Sequence, residues 1–241
     1  MQAIVLSEYG DPNRLEFRER PEPEPGAGQI KVRVASASLN PVDWKLRSGA
    51  LRQLMPLELP AILGRDAAGE VVRVGAGVTE FKEGDHVLGL VNGAYAQYVV
   101  AATEAWAKLP EGLAPRDAGA LPLALLTGDQ LAEATLGPSA GIGLTVLVTG
   151  ALGAVGRVAA WGIRQRGARV FAGVRSKQVD EAKSLDVDGV VALDDDADIA
   201  RLPELDCIAD TVGGETIAKL VPKIKPSGTL GSVVGEPKSA K

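Results

Sequence analysis

Three glycines, Gly150, Gly153 and Gly156, stand between an apolar run ending at Thr149 and an amphipathic run beginning at Ala154. A strand, a glycine turn and a helix in that order form a context in which backbone can hold phosphate. The first glycine permits the tight turn, the second lets the chain approach a pyrophosphate, and the third lets helix and strand pack closely. The free N–H groups and dipole of the helix start then favour the anion. Gly150, Ala151, Gly153, Ala154, Val155 and Gly156 are therefore expected to form a dinucleotide cradle. The spacing is a relaxed form of G-x-G-x-x-G, and a purely structural glycine turn is the alternative. About 20 residues further on, sites that bind a ribose 2′-hydroxyl carry an Asp or Glu. This chain has Arg175-Ser176-Lys177 there. Two cations and a hydroxyl suit a 2′-phosphate, so NADPH is expected over NADH; a solvated cationic loop is the alternative.

Other chemistries lack residues. The chain has one cysteine, Cys207, and one histidine, His86. A four-cysteine zinc site is excluded, and a catalytic zinc site usually draws three ligands from Cys, His and carboxylates. A nucleophilic triad would have to be built on His86 alone. That histidine lies in Glu83-Gly84-Asp85-His86-Val87, which reads as a polar turn entering a strand. An enzyme of this composition needs a cofactor to carry its reaction.

The elements that must position these residues fall into two halves. In the first, residues 3–6, 30–35, 69–75, 86–91 and 94–100 read as short strands split by Gly and Pro, which predicts a small β-barrel or sandwich. Residues 115–126 read as one helix leading into Thr127. From residue 144 strands and helices alternate: strands at 144–149, 168–174, 189–193, 205–210 and 228–234, helices at 154–166, 178–186 and 214–224. Val155, Val158, Ala159, Gly162 and Ile163 share one helical face, and Gly167 can cap that helix. Repeated β-α units with apolar strands predict a parallel sheet covered on both faces.

Length and charge narrow the partners. A chain of 241 residues makes one large domain or two small ones, and a net charge of −5 without a basic run argues against nucleic acid or an anionic membrane. No apolar stretch reaches the roughly 20 residues needed to span a bilayer. The first residues lack the basic and apolar segments of a signal peptide, so a cytoplasmic location is the default expectation.

With these residues in view, the chain resembles the zinc-independent medium-chain dehydrogenase/reductase superfamily, in its quinone oxidoreductase and enoyl-reductase-like group. The resemblance rests on Asn40-Pro41-Val42-Asp43, Leu63-Gly64-Arg65-Asp66-Ala67-Ala68-Gly69, Gly84-Asp85-His86-Val87, Gly93-Ala94-Tyr95-Ala96-Gln97-Tyr98, Leu121-Pro122, residues 150–156 and Asp210-Thr211-Val212-Gly213-Gly214. It implies a GroES-like β-barrel domain over 1–122 and a Rossmann doubly wound parallel sheet over 123–241. Both are expected to be incomplete, lacking the usual C-terminal return. The zinc-binding branch carries metal ligands near positions 40 and 65, where this chain has Asn40 and Arg65. By resemblance, Asn40 and Thr127 lie near the nicotinamide and its ribose, and Val212, Ser232 and Val233 line its pocket. The implied reaction is hydride transfer from NADPH to a quinone or α,β-unsaturated carbonyl. Asn40, Asp43 and Lys45 are the expected catalytic residues, with Arg47 a further candidate proton donor. A homodimer is a possible assembly. The rival reading is an NADPH-binding protein of weak or no activity.

Overall fold

The computed structural model describes residues 1–137 and 141–235. The chain divides into two compact units, Met1–Leu123 and Ala124–Lys241.

The first unit is built from antiparallel strands. β1 (Gln2–Leu6), β2 (Leu15–Glu19) and β4 (Ala61–Ile62) form a three-stranded sheet in the order β2-β1-β4. β3 (Gln29–Ala37), β5 (Asp66–Val74), β6 (His86–Leu90), β7 (Tyr98–Ala102) and β8 (Trp106–Lys108) form a second, in the order β7-β3-β5-β6-β8. Its core gathers Ile30, Val32, Val71, Val87, Val99 and Trp106 from facing strands. The expected strand over 94–100 begins only at Tyr98. Ala94 and Tyr95 instead donate their N–H groups to Gly64 and Leu63, and Ala96 makes an isolated bridge to Ala3.

Helix α1 (Pro41–Ser48) starts at Asn40 and stops at Gly49, whose left-handed φ of 79° ends it. The run expected as one helix over 115–126 is two: α2 (Pro115–Ala118) and α3 (Pro122–Leu136). Pro122 has no N–H to give a preceding turn and disfavours helical backbone at Leu121, so a new helix starts there.

In the second unit β9 (Thr145–Thr149), β10 (Arg169–Val174), β11 (Gly189–Ala192), β12 (Leu205–Asp210) and β13 (Ile224–Ser232) form a parallel sheet in the order β11-β10-β9-β12-β13. Alternation along β9 sends Val146 and Val148 to one face and Leu147 to the other. The first face packs on α4 (Ala154–Gln165) through Ala159, Ala160 and Ile163, the second on α7 (Gly214–Leu220) through Ile217 and Leu220. Each fully buried Val, Leu or Ile among them contributes about 1.5–3 kcal/mol. The short helices α5 (Val179–Ala182) and α6 (Asp196–Ala200) complete the connections. Gly167, at φ 88°, closes α4 with its N–H on the Arg164 carbonyl. No helix among the described residues is long and apolar enough to cross a membrane.

Candidate functional site

In the parallel sheet, β9 has β10 on one side and β12 on the other. The connection leaving β9 runs through α4 to β10 and the one leaving the adjacent β12 runs through α7 to β13, in opposite directions, and open α/β sheets bind ligands at such a point. A cavity of about 630 Å³ lies there, lined by Gly150, Leu152, Gly153, Arg175, Asp194 and Thr211 among others.

The cradle between β9 and α4 is built by its glycines. Gly150 has φ 62°, and a Cβ on it would overlap the Thr211 hydroxyl. A Cβ on Gly156 would overlap the Gly150 carbonyl oxygen, so this glycine seats the first turn of α4 on the glycine turn itself. A Cβ on Gly153 would meet one protein atom, the Gly150 oxygen at 3.1 Å, and otherwise open space. Backbone donors divide unequally. The Ala151 N–H is taken by the Gly173 carbonyl and the Gly153 N–H by the Gly150 carbonyl. Among the described residues no backbone acceptor takes the N–H groups of Leu152, Ala154 or Val155. The Gly156 N–H likewise has no backbone acceptor among the described residues, but Gly156 is buried, as is Ala151, so Leu152, Ala154 and Val155 are the more exposed donors. A glycine lining the cavity, whose Cβ position touches protein only at the Gly150 oxygen, beside free N–H groups at a helix start, fits a dinucleotide pyrophosphate.

The floor of the crevice is a buried network. Thr149 donates its hydroxyl to Asp210 Oδ1 at 2.7 Å. The same carboxylate oxygen accepts the N–H groups of Val212 and Gly213, each at 3.0 Å, and Oδ2 accepts the Ser232 hydroxyl at 2.9 Å. Thr211 closes the link by donating its N–H to the Thr149 hydroxyl and its own hydroxyl to the Thr149 carbonyl. Asp210 thus fixes three of the sequence-expected positions together: Val212, half exposed on the cavity, Ser232, and Val233, whose N–H meets the Asp210 carbonyl at 3.1 Å. Thr127 lies half-buried on α3. That helix comes close to α4 because Gly128 faces Val155 and Val158 with no room for a Cβ.

At the far end of the crevice, Arg175 and Gln178 line the cavity, and the Arg175 N–H reaches Gln178 Oε1 at 3.3 Å. Among the described residues, Arg175 and Lys177 form no ion pair. Ser176 and Lys177 are exposed beside it. Gln178, Asp194 and Thr216 join the lining without a local sequence signal; each reaches the cavity through the register of neighbouring strands or a helical turn.

Asn40, Asp43 and Lys45 belong to the first unit. Asp43 caps its own helix, Oδ2 accepting the Asn40 N–H at 2.7 Å. It is buried, and its Oδ1 has no hydrogen-bond partner among the described residues. Burial raises its carboxyl above the ordinary aspartate range, against the opposing effect of the Asn40 bond. Burial also pushes the neighbouring Tyr95 phenol up, helped by the Asp43 charge; its hydroxyl donates to the Ser38 carbonyl at 3.0 Å. The Asn40 amide donates to Ser38 Oγ and Asp66 Oδ2, both at 2.8 Å. Asp66, fully buried, also accepts the Ser38 hydroxyl at 2.5 Å and, on Oδ1, the Leu123 N–H at 2.7 Å. Lys45 is half-buried, its ammonium 5.9 Å from the Trp44 ring centre. Among the described residues no group of three or more His, Cys, Asp or Glu is arranged to hold a metal ion.

An antiparallel β unit followed by a parallel α/β unit with a glycine turn at its switch point defines a two-part architecture, and comparison with known proteins gives its family. Residues 26–111 match the alcohol dehydrogenase GroES-like domain. The chain is 35% identical over 199 residues to a chloroplast envelope quinone oxidoreductase homolog of Arabidopsis thaliana, covering 79% of this chain and 60% of that one. It is 30% identical over 252 residues to a chloroplastic NADPH-dependent alkenal/one oxidoreductase of the same plant, covering 98% and 63%. The crystal structure of an alcohol dehydrogenase superfamily protein from Novosphingobium aromaticivorans superposes with a TM-score of 0.85 at 32% identity, over all of this chain and 75% of that one. The chain belongs to the medium-chain dehydrogenase/reductase superfamily, in its quinone oxidoreductase and enoyl-reductase-like group. It spans about 60% of the length of the curated quinone oxidoreductase relatives.

Proposed function

We propose that this chain binds NADPH in the β9–α4 crevice and takes part in reducing a quinone or an α,β-unsaturated carbonyl. The observation that carries the proposal is Gly153, whose Cβ position faces the cavity with the Gly150 oxygen as its one protein neighbour, beside the free N–H groups of Leu152, Ala154 and Val155. The relatives' names support the chemistry: one is a quinone oxidoreductase homolog, another acts on alkenals and alkenones with NADPH. Arg175 and Lys177 supply the cations that suit a 2′-phosphate.

When bound, NADPH supplies hydride from its nicotinamide. The chain's residues bind and orient. The α4 start holds the pyrophosphate, and Gly150 and Gly156 keep that start against β9. The Asp210 network holds Val212, Ser232 and Val233 at the strand ends, where they wall the nicotinamide. Asn40 and Thr127 are assigned to the nicotinamide ribose and ring. Lys45 is assigned as the group that gives a proton to substrate, since its ammonium is a donor and Asp43 Oδ2 is engaged in capping α1. The substrate is a small molecule.

The test is NADPH fluorescence titration beside NADPH oxidation on addition of quinones and enones. Saturable binding with turnover supports the full proposal. Binding without turnover across the panel removes the enzymatic part and leaves a dinucleotide-binding protein.

A further inference from the structure

Strands β10 and β11 run parallel with Val174 opposite Ala192, so the residues after them emerge side by side. One exit carries Arg175-Ser176-Lys177, the other Leu193-Asp194. Asp194 Oδ1 accepts both the Ser176 N–H and the Ser176 hydroxyl, each at 2.7 Å. These are two of the donors that a 2′-phosphate would need there, and a carboxylate of this chain already holds them. Asp194 lines the cavity and is exposed, as is Ser176. The Ser176 bonds, and more weakly the Arg175 charge, hold the Asp194 carboxyl below the ordinary aspartate range, so it is an anion at neutral pH.

An anion in that position has opposite effects on the two dinucleotides. A ribose 2′-hydroxyl can donate to a carboxylate, the usual arrangement in NADH sites. A 2′-phosphate meets a like charge and must compete for Ser176. Arg175 and Lys177 pull the other way. From this geometry we infer that Asp194 is a specificity-determining residue that narrows the preference for NADPH and admits NADH to the same site. The inference rests on the proposed dinucleotide crevice.

The experiment measures dissociation constants for NADH and NADPH by fluorescence titration in the full chain, with Asp194→Asn and Asp194→Ser beside it. Both variants remove the charge, and Asp194 bonds through its side chain only to Ser176 among the described residues, so one stands in if the other fails to fold. In the unmodified chain the two constants should differ by less than roughly tenfold. In either variant the ratio of the NADH to the NADPH constant should rise about tenfold or more, and the gain should shrink as salt is added. A ratio that stays put or falls in a folded variant overturns the inference while leaving the crevice intact. An unmodified chain that binds neither dinucleotide overturns the crevice itself, and this inference with it.

Discussion

The Thr149 hydroxyl lies 2.7 Å from the Asp210 carboxylate, buried at the ends of two adjacent parallel strands. The bond ties β9, which leads into the cradle, to β12, which leads into the opposite wall. Thr149→Val removes the donor and also strips the Thr211 N–H of its acceptor. We expect a loss of about 1–3 kcal/mol, the cost of buried polar groups left unmatched. Chemical denaturation should show a lower midpoint at unchanged slope, and Thr149→Ser should recover most of the loss.

The glycines separate stability from binding. Gly156→Ala drives a methyl into the Gly150 carbonyl and should cost about 1–3 kcal/mol of stability. Gly153→Ala meets the same carbonyl oxygen at 3.1 Å rather than 2.2 Å, so its denaturation midpoint should fall much less than that of Gly156→Ala. The added methyl occupies the space in front of the free N–H groups, and dinucleotide affinity should fall about tenfold, or ~1.4 kcal/mol. Titration and denaturation on the same two variants check both halves.

Arg175→Ala should weaken NADPH by about fivefold to tenfold and NADH by much less, an effect that rising ionic strength should erase. Lys177→Ala should act in the same direction more weakly, because Arg175 lines the cavity and Lys177 does not. A salt series of titrations measures both.

Legibility in the sequence followed locality. The segment from Thr145 to Gln165 could be read because an apolar strand, a glycine turn and a helical stripe are all local patterns. The parallel sheet followed from repetition of that unit. Other elements gave no such pattern. β2 is exposed over four of its five residues, so it shows no alternation. Helix α6 is a short, Asp-rich turn with one buried residue, Ile199. The Asp194–Ser176 contact joins positions 18 apart that meet only because β10 and β11 pair in register. The sequence at 175–177 looked free of carboxylates for that reason. Asp43 read as a chemical group by its type; its engagement with the Asn40 N–H becomes visible only once α1 is formed.

Asp43 gives a pH prediction with a definite sign. Its folded carboxyl titrates above the ordinary aspartate range because burial penalises the charge. The folded state therefore favours the protonated acid. Its contribution to stability is full below the ordinary range and is lost as pH rises through the raised value. Asp43→Asn keeps an acceptor for the Asn40 N–H and removes the titration. Thermal midpoints followed upward from acid pH should show the variant gaining on the unmodified chain across that window.

Cys207, buried on β12, has its thiol pushed above the usual range by burial. It should resist a thiol-specific reagent in the folded chain and react at once in denaturant, so labelling reports opening of the parallel sheet.

Asp66 joins three stretches of chain: Ser38, Asn40 at the head of α1, and Leu123 in the first turn of α3. A mutational scan scored on turnover alone would mark this carboxylate as intolerant and invite a catalytic label. Scored on heat resistance as well, Asp66→Ala should stand out as a scaffold lesion, its damage shared among segments that no single turn of backbone connects.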